Sequence, residues 1–104
     1  MVARGEVWWA EHPETGLRPY LVLTRQPAIA VLHAVLAVPA TRTIRAIPTE
    51  VSLGRGDGMP AECVLSLDNL ATLPKALFRE RITRLSVARM TEVCRALALA
   101  TGCA

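Results

Sequence analysis

The sequence predicts a mainly β fold with one α-helix: a small antiparallel barrel, or a strongly bent sheet, closed by a C-terminal helix. Short apolar runs rich in β-branched and aromatic residues alternate with proline, glycine and turn residues up to Leu85. After Ser86, apolar residues recur at helical spacing as far as Leu97. With 104 residues, 52% of them hydrophobic, the chain suits one domain, residues 1–104, with its own core.

Strands are predicted where apolar runs lie between turn signals. Residues 5–10 form the first, and the turn at 12–16 leads into a second at 18–24. Residues 26–28 interrupt this pattern, and the continuous apolar run 31–38 is typical of a strand buried on both faces.

The second half of the chain predicts further strands and one terminal helix. Residues 47–53 alternate as in a half-buried strand, and Pro48 favours an edge position. Residues 54–58 contain three glycines and predict a mobile loop, without the Gly-Lys-Ser/Thr of a nucleotide loop. The remaining predictions are a strand at 62–67, a helical turn at 68–72 capped by Asp68 or Ser66, a basic strand at 74–85, and a helix from the N-cap Ser86 to Gly102.

One pair of polar residues stands at the ends of two predicted strands. Pro19 pushes Arg18 into an extended conformation, so the guanidinium leaves the strand in a defined direction. Thr41 follows Pro39 at the end of the next strand. If these strands are neighbours, a cation and a hydroxyl meet at one sheet edge, which suits a phosphate.

Charge, cysteine and hydropathy patterns exclude several classes of protein. The net charge of +3 is modest, and the five basic residues between 75 and 89 predict either a binding surface or a solvated strand face. Three cysteines without a close pair, and His12 and His33 without partners at ligand spacing, indicate no disulfide framework, metal or cofactor. The apolar run 27–40 is shorter than the ~20 residues of a membrane span, and no signal peptide is recognised, so we expect a cytoplasmic protein.

The order of these motifs resembles the MazF/PemK toxins from Arg4 to about Leu99. The matching blocks are RGEVWW at 4–9, RPYLVLT at 18–24, VPAT at 38–41, CVLSLDNL at 63–70, and the terminal amphipathic helix. The resemblance implies an SH3-like barrel of the CcdB/PemK type with a C-terminal α-helix. It also implies a homodimeric, metal-independent endoribonuclease that cuts single-stranded RNA at a short sequence and is paired with a MazE-like antitoxin.

The resemblance also implies roles for individual residues. Arg18 and Thr41 take the places of the family's strand-two arginine and strand-three threonine at the scissile phosphate. Asp68 lies where some members have an acid that positions catalytic groups, although capping the next turn is an equal alternative. Ser66 and His12 are possible supporting residues. The candidate RNA-binding residues are Trp8, Arg42, Arg45, Lys75, Arg79 and Arg81. Of the two tryptophans, we expect Trp9 to lie in the core and Trp8 to be free to stack on bases.

Elementary chemistry agrees with that implication. RNA carries its own nucleophile, the 2′-hydroxyl, so an enzyme has to align it, stabilise charge on phosphorus and move protons. Arg18 offers a permanent cation with two parallel donors, and Thr41 offers a hydroxyl. We therefore assign Arg18 as an electrostatic clamp, with a 2′,3′-cyclic phosphate and a 5′-hydroxyl as products. No residue is assigned as general base.

Two departures from the family pattern and two other functions complete the sequence analysis. The link at 11–17 is shorter than in many members, and Ser66 stands where some have arginine, which affects the expected RNA preference. A gyrase inhibitor of the CcdB type is the less favoured alternative, because residues 99–104 lack the tryptophan of its Trp-Gly-Ile ending. A non-catalytic barrel that binds RNA or protein would also keep Arg18 and Thr41.

Overall fold

The computed structural model describes residues 1–103, in which seven antiparallel strands form one sheet. The elements are β1 (Glu6–His12), β2 (Gly16–Val22), the short helix α1 (Gln26–Ile29), β3 (Ala34–Thr41), β4 (Glu50–Leu53), β5 (Cys63–Ser66), β6 (Ala71–Pro74), β7 (Phe78–Arg84) and α2 (Val87–Thr101). The strand order is β4-β5-β3-β2-β1-β7, and β6 pairs with another part of β3. This confirms the predicted antiparallel fold with a C-terminal helix.

The two ends of the sheet are β4 and β7, so the hydrogen-bonded ladder is bent but not closed among the described residues. The loop after β4 reaches β7 instead, since the Thr83 hydroxyl donates to the Asp57 carbonyl oxygen at 2.9 Å. The same loop holds a 3-10 turn at Arg55–Asp57, and the Gly54 N–H donates to the Asp57 carboxylate at 2.9 Å. The prediction of an unrestrained loop at 54–58 is therefore wrong.

The central strands bury both of their faces, because their side chains alternate between two cores. The core on the α2 side includes Val7, Leu21, Val38, Leu65 and Val93. The core on the opposite face includes Tyr20, Val22, Ile29, Val35 and Leu73. Apolar residues at both odd and even positions of β2 and β3 are explained by this arrangement.

Helix α2 has the predicted caps but a narrower buried stripe than expected. The Ser86 hydroxyl accepts a hydrogen bond from the Arg89 N–H at 3.1 Å, and Gly102 ends the helix with a φ of 73°. Val93 is fully buried, whereas Val87 is 85% exposed and Cys94 is also exposed. The helix therefore contacts the sheet along only part of its apolar face.

Several predicted boundaries need correction. The third strand starts at Ala34 rather than at 31. The short helix α1, which has proline in its first turn, and the exposed turn after it occupy the residues before the strand. Leu36 is 43% exposed, so β3 is not buried on both faces throughout. The edge position of the fourth strand is confirmed, but Pro48 lies in the turn before it.

Two elements after β5 also differ from the prediction. The predicted helical turn at 68–72 is a 3-10 turn at Leu67–Asn69 followed by β6, and Ser66 makes no side-chain capping hydrogen bond there. The basic strand begins only at Phe78, after a 3-10 turn at Lys75–Leu77. Among residues 1–103, no helix has the length and apolar character needed to cross a membrane.

Candidate functional site

The strand register brings Arg18 and Thr41 to the same place. Strands β2 and β3 pair antiparallel, with Tyr20 opposite Pro39. Continuing this register by two residues sets Arg18 opposite Thr41. Both side chains line one open depression of about 370 Å³ at this end of the sheet. The expected meeting of a cation and a hydroxyl is thus present in the structure.

Residues from five strands (β1, β2, β3, β5 and β6) and from the segments that connect them line this depression. Alternation along β1 and β2 places His12, Arg18 and Tyr20 on one sheet face. The other lining residues are Thr15, Pro39, Thr41, Thr43, Arg45, Ser66, Asn69 and Ala71. The depression therefore contains hydroxyl, amide, imidazole and guanidinium groups but no lining carboxylate.

Arg18 is exposed and has no acidic partner among residues 1–103. Within residues 1–103 the ion pairs are Arg79–Glu11, Arg81–Glu6, Arg89–Asp57 and Arg89–Glu92. None involves Arg18 or Arg45, the two arginines of the depression. A guanidinium without an acidic neighbour, beside hydroxyl donors, favours an anionic ligand such as a phosphodiester.

The Thr41 hydroxyl is oriented by the backbone that follows it. The Thr43 N–H donates to Thr41 Oγ1 at 3.1 Å. Because this bond uses one lone pair of the oxygen, the hydroxyl hydrogen remains available as a donor to a ligand. Thr41 is partly buried, so its side chain is held by packing as well as by this bond.

Ser66 and Asn69 form one wall of the depression. The Asn69 amide nitrogen donates to the Ser66 hydroxyl oxygen at 2.8 Å, and Ser66 is only 3% exposed. Ser66 and His12, the possible supporting residues, both line the depression. Sequence reasoning missed Asn69, Thr43 and Thr15. The signal for Asn69 was its place in the same block as Asp68.

Asp68 is not among the residues that line the depression. Its Oδ2 accepts a hydrogen bond from the Thr49 hydroxyl at 2.5 Å, which connects it to the turn before β4. This partner holds the carboxylate, and a supporting role for Asp68 stays a prediction. The alternative role as a helix cap is absent, since the 3-10 turn begins one residue earlier.

The surroundings of the two half-buried tryptophans differ from the expectation. Trp8 packs against the core opposite α2, and its indole N–H donates to Glu6 Oε1 at 3.0 Å. Trp9 lines a pocket of about 190 Å³ with Pro19, Thr41 and Arg42. The β1–β2 register is regular, so Trp8 lies on the face of Ala10 and Tyr20, whereas Trp9 lies on the opposite face. The expectation that Trp9 is the core tryptophan is wrong.

Most of the predicted basic RNA contacts lie outside the depression. Arg45 lines it, and Arg42 lines the adjacent pocket. The Lys75 ammonium donates to the Ile29 carbonyl oxygen at 2.8 Å. Arg79 donates to the Ala76 carbonyl oxygen at 2.7 Å and pairs with Glu11, and Arg81 pairs with Glu6 at 3.4 Å. The last three residues therefore have structural partners of their own.

A larger depression of about 610 Å³ lies beside Arg55, Asp57 and Arg89. There the Arg89 Nε donates to Asp57 Oδ1 at 2.9 Å. This hydrogen bond lowers the pKa of the Asp57 carboxyl below its usual value, while burial raises the pKa of the nearby Cys63 thiol. Neutralised by its acid, Arg89 is less suited than Arg18 to bind an anion. In the described part of the chain, no three His, Cys, Asp or Glu side chains cluster as metal ligands would.

A bent antiparallel sheet with a terminal helix and a carboxylate-free arginine–threonine depression defines the class: a small, mainly β protein with a cationic surface depression. Residues 3–101 match the family model described as PemK-like, MazF-like toxin of type II toxin–antitoxin system. The chain belongs to this family of toxins.

Relatives of known name support the assignment over nearly the full length. The chain is 48% identical over 101 residues to the probable endoribonuclease MazF2 of Mycobacterium tuberculosis, covering 96% of this chain and 98% of that protein. It is 42% identical to the probable endoribonuclease MazF5 of the same organism, covering 97% and 94%. A mycobacterial endoribonuclease solved in complex with its cognate antitoxin has a TM-score of 0.89 and 29% identity, covering 98% of this chain and 96% of that one.

Proposed function

We propose that this protein is an endoribonuclease that cleaves single-stranded RNA, the toxin of a toxin–antitoxin pair. One observation carries the proposal: Arg18 and Thr41 line the same depression, which no carboxylate lines. A phosphodiester carries one negative charge and several acceptor oxygens, which match a guanidinium and an oriented hydroxyl. The names of the family and of its mycobacterial members support the same activity.

In the proposed reaction, the ribose 2′-oxygen attacks the adjacent phosphorus. A new P–O2′ bond forms while the P–O5′ bond breaks, which yields a 2′,3′-cyclic phosphate and a 5′-hydroxyl. One proton leaves the 2′-hydroxyl and one is delivered to the departing 5′-oxygen. Arg18 stabilises the charge that grows on the phosphoryl oxygens, and Thr41 donates a hydrogen bond to the same group. His12 also lines the depression, and its imidazole is a group suited to proton transfer.

This chemistry requires no metal or cofactor, since the nucleophile belongs to the substrate. End-labelled single-stranded RNA of varied sequence is incubated with the protein in EDTA, beside Arg18→Ala. Cleavage by the wild type, its loss in the variant and 2′,3′-cyclic phosphate ends support the proposal. If neither protein cuts any sequence, the proposal fails. Binding without cutting by both proteins would indicate the non-catalytic barrel.

We also propose a cytoplasmic homodimer regulated by an acidic MazE-like antitoxin. Solved relatives include a mycobacterial endoribonuclease with its cognate antitoxin and MazE–MazF complexes from Deinococcus radiodurans. Exposed apolar residues such as Leu17 and Ile44, 56% exposed each, provide surface for such contacts. Co-expression with the product of the adjacent gene tests this part: growth arrest that persists would contradict it.

A further inference from the structure

Glu50, at the start of β4, holds the turn that carries Arg45 to the depression. Its Oε1 accepts hydrogen bonds from the N–H groups of both Arg45 and Ala46, each at 3.0 Å. Glu50 itself pairs with Ser66, a wall residue, in the β4–β5 register. Glu50 therefore belongs to the sheet beside the depression, and its carboxylate connects the wall that contains Ser66 to the turn at residues 42–46.

The turn needs such an anchor because its backbone is unfavourable. Ala46 has a φ of 56° and is the single non-glycine residue among residues 1–103 in the left-handed region. A residue with a Cβ adopts this conformation only when its surroundings stabilise it. The two hydrogen bonds to Glu50 involve this residue and the one before it, so they act at the strained point of the turn.

The same turn is anchored at its other end by the site itself. The Thr43 N–H donates to Thr41 Oγ1 at 3.1 Å, and Thr43 and Arg45 both line the depression. Residues 43–46 are thus hydrogen-bonded at one end to the Thr41 hydroxyl and at the other end to the Glu50 carboxylate. Loss of the Glu50 anchor would therefore act first on Arg45, and on Thr41 only through Thr43.

The other Glu50 oxygen, Oε2, is buried and makes no hydrogen bond to the described part of the protein. A buried, unsatisfied oxygen is a cost that a neutral apolar residue in β4 would avoid. The bonds to the turn are the interactions that offset this cost in the structure.

We propose that Glu50 is a positioning residue that presents Arg45 and the Thr41 hydroxyl to the RNA phosphate backbone. This inference rests on the proposed ribonuclease function of the Arg18–Thr41 depression. Glu50 acts through the turn and not on the reacting atoms. Its removal therefore weakens RNA binding more than the chemical step, and restoring the turn restores the binding.

The first arm of the test measures the turn without RNA. Amide hydrogen exchange at Arg45 and Ala46 is followed in the wild type, Glu50→Ala, Glu50→Gln and the matched control Glu80→Ala, which removes an exposed acid of β7. We expect Glu50→Ala to accelerate exchange at both amides about tenfold or more, because both acceptor bonds are lost. Glu50→Gln keeps an acceptor oxygen and is expected to stay close to the wild type. Unchanged exchange in Glu50→Ala would overturn the inference.

The second arm measures cleavage and binding. We expect Glu50→Ala to raise KM, and the Kd for a 2′-O-methyl oligonucleotide, about tenfold with a smaller change in kcat. The double variant Glu50→Ala/Ala46→Gly should recover part of this loss, since glycine adopts a positive φ without an anchor. Wild-type cleavage with unchanged KM in Glu50→Ala overturns the inference alone. A wild type that neither cuts nor binds RNA overturns the proposed function, and this inference with it.

Discussion

Two arginine sites on this small sheet show how partners decide what an arginine does. Arg89 contacts the Asp57 and Glu92 carboxylates and secures the loop after β4 to helix α2. Arg18 is exposed, makes no ion pair among the described residues and faces hydroxyl groups in its depression. The first arrangement uses the guanidinium for structure, whereas the second leaves its donors for a ligand. The following substitutions test this contrast.

The largest effect is expected from Arg18→Ala. Loss of an electrostatic donor to the transition state lowers the cleavage rate about 100- to 1,000-fold, equivalent to roughly 3–4 kcal/mol. The melting temperature should stay within a few degrees, since Arg18 has no intramolecular partner in residues 1–103. Arg95→Ala, an exposed arginine on α2, is the matched control and should cut normally. Equal cleavage rates for Arg18→Ala and Arg95→Ala would contradict the role of Arg18 as an electrostatic clamp.

Gly58→Ala is expected to be the most destabilising change at the Arg89 site. Gly58 has a φ of 89°, and an added Cβ would lie 2.3 Å from Thr83 Oγ1. Strain and overlap together should lower the free energy of unfolding by roughly 2–4 kcal/mol. In contrast, Gly56→Ala meets no heavy atom within 4 Å and should change it by less than about 0.5 kcal/mol. Urea denaturation of both variants provides the comparison.

Asp57→Asn should lower the free energy of unfolding by about 1–2 kcal/mol. The Asp57 oxygens accept hydrogen bonds from Arg89 and from the Gly54 N–H. In the asparagine variant an NH₂ group replaces one of these oxygens, so one of the two hydrogen bonds is lost. The pair is partly desolvated, with side chains 14% and 32% exposed. RNA cleavage below the melting temperature should be unchanged. A variant with normal stability would show that this ion pair contributes no more than an ordinary surface pair.

The stabilisation by this pair should depend on pH in a predictable direction. Because the Arg89 hydrogen bond lowers the pKa of Asp57 in the folded protein, the unfolded state binds more protons in the acid range. The stabilisation is complete above about pH 4, the ordinary range of an aspartate, and is lost as the pH falls through the lowered value. The stability difference between wild type and Asp57→Asn should therefore shrink in acid. A difference that grows in acid would contradict this assignment.

Thr41→Val is expected to slow cleavage less than Arg18→Ala does, by about tenfold or roughly 1.4 kcal/mol. The substitution preserves the shape of the side chain but removes the hydroxyl that faces the depression. It also leaves the Thr43 N–H without its acceptor. Thr41→Ser keeps both hydrogen bonds and should retain most of the activity. A serine variant as slow as the valine variant would show that the methyl group, and not the hydroxyl, matters.

Features that depend on local chemistry could be predicted from the sequence. Ser86 and Gly102 delimit the last helix because capping is decided by a few neighbouring residues. The meeting of Arg18 and Thr41 was also predictable. Arg18 lies on β2 and Thr41 lies on β3, and these two strands are consecutive in the chain and pair antiparallel. The functional class came from the ordered set of motifs.

Predictions that depended on distant partners were wrong. A loop with three glycines suggested mobility, but Arg89 and Thr83 secure it from remote parts of the chain. The hydrogen bond from Thr49 to Asp68, nineteen residues apart in the chain, was not predicted either. The pairing of β1 with β2 put Trp8, and not Trp9, on the face of Ala10 and Tyr20. Glu50 was not recognised at all, because its importance arises only when β4 meets the strained turn at Ala46.

By itself, the sequence determined the strands' apolar pattern, the helix caps and the family to which the chain belongs, because these depend on residue type and on short spacing. Only the tertiary structure decided which charges are neutralised and which remain free. Ion pairs such as Arg89–Asp57 join residues far apart in the chain, and their formation depends on how the sheet bends. The availability of Arg18 for an anion is a property of that folded arrangement.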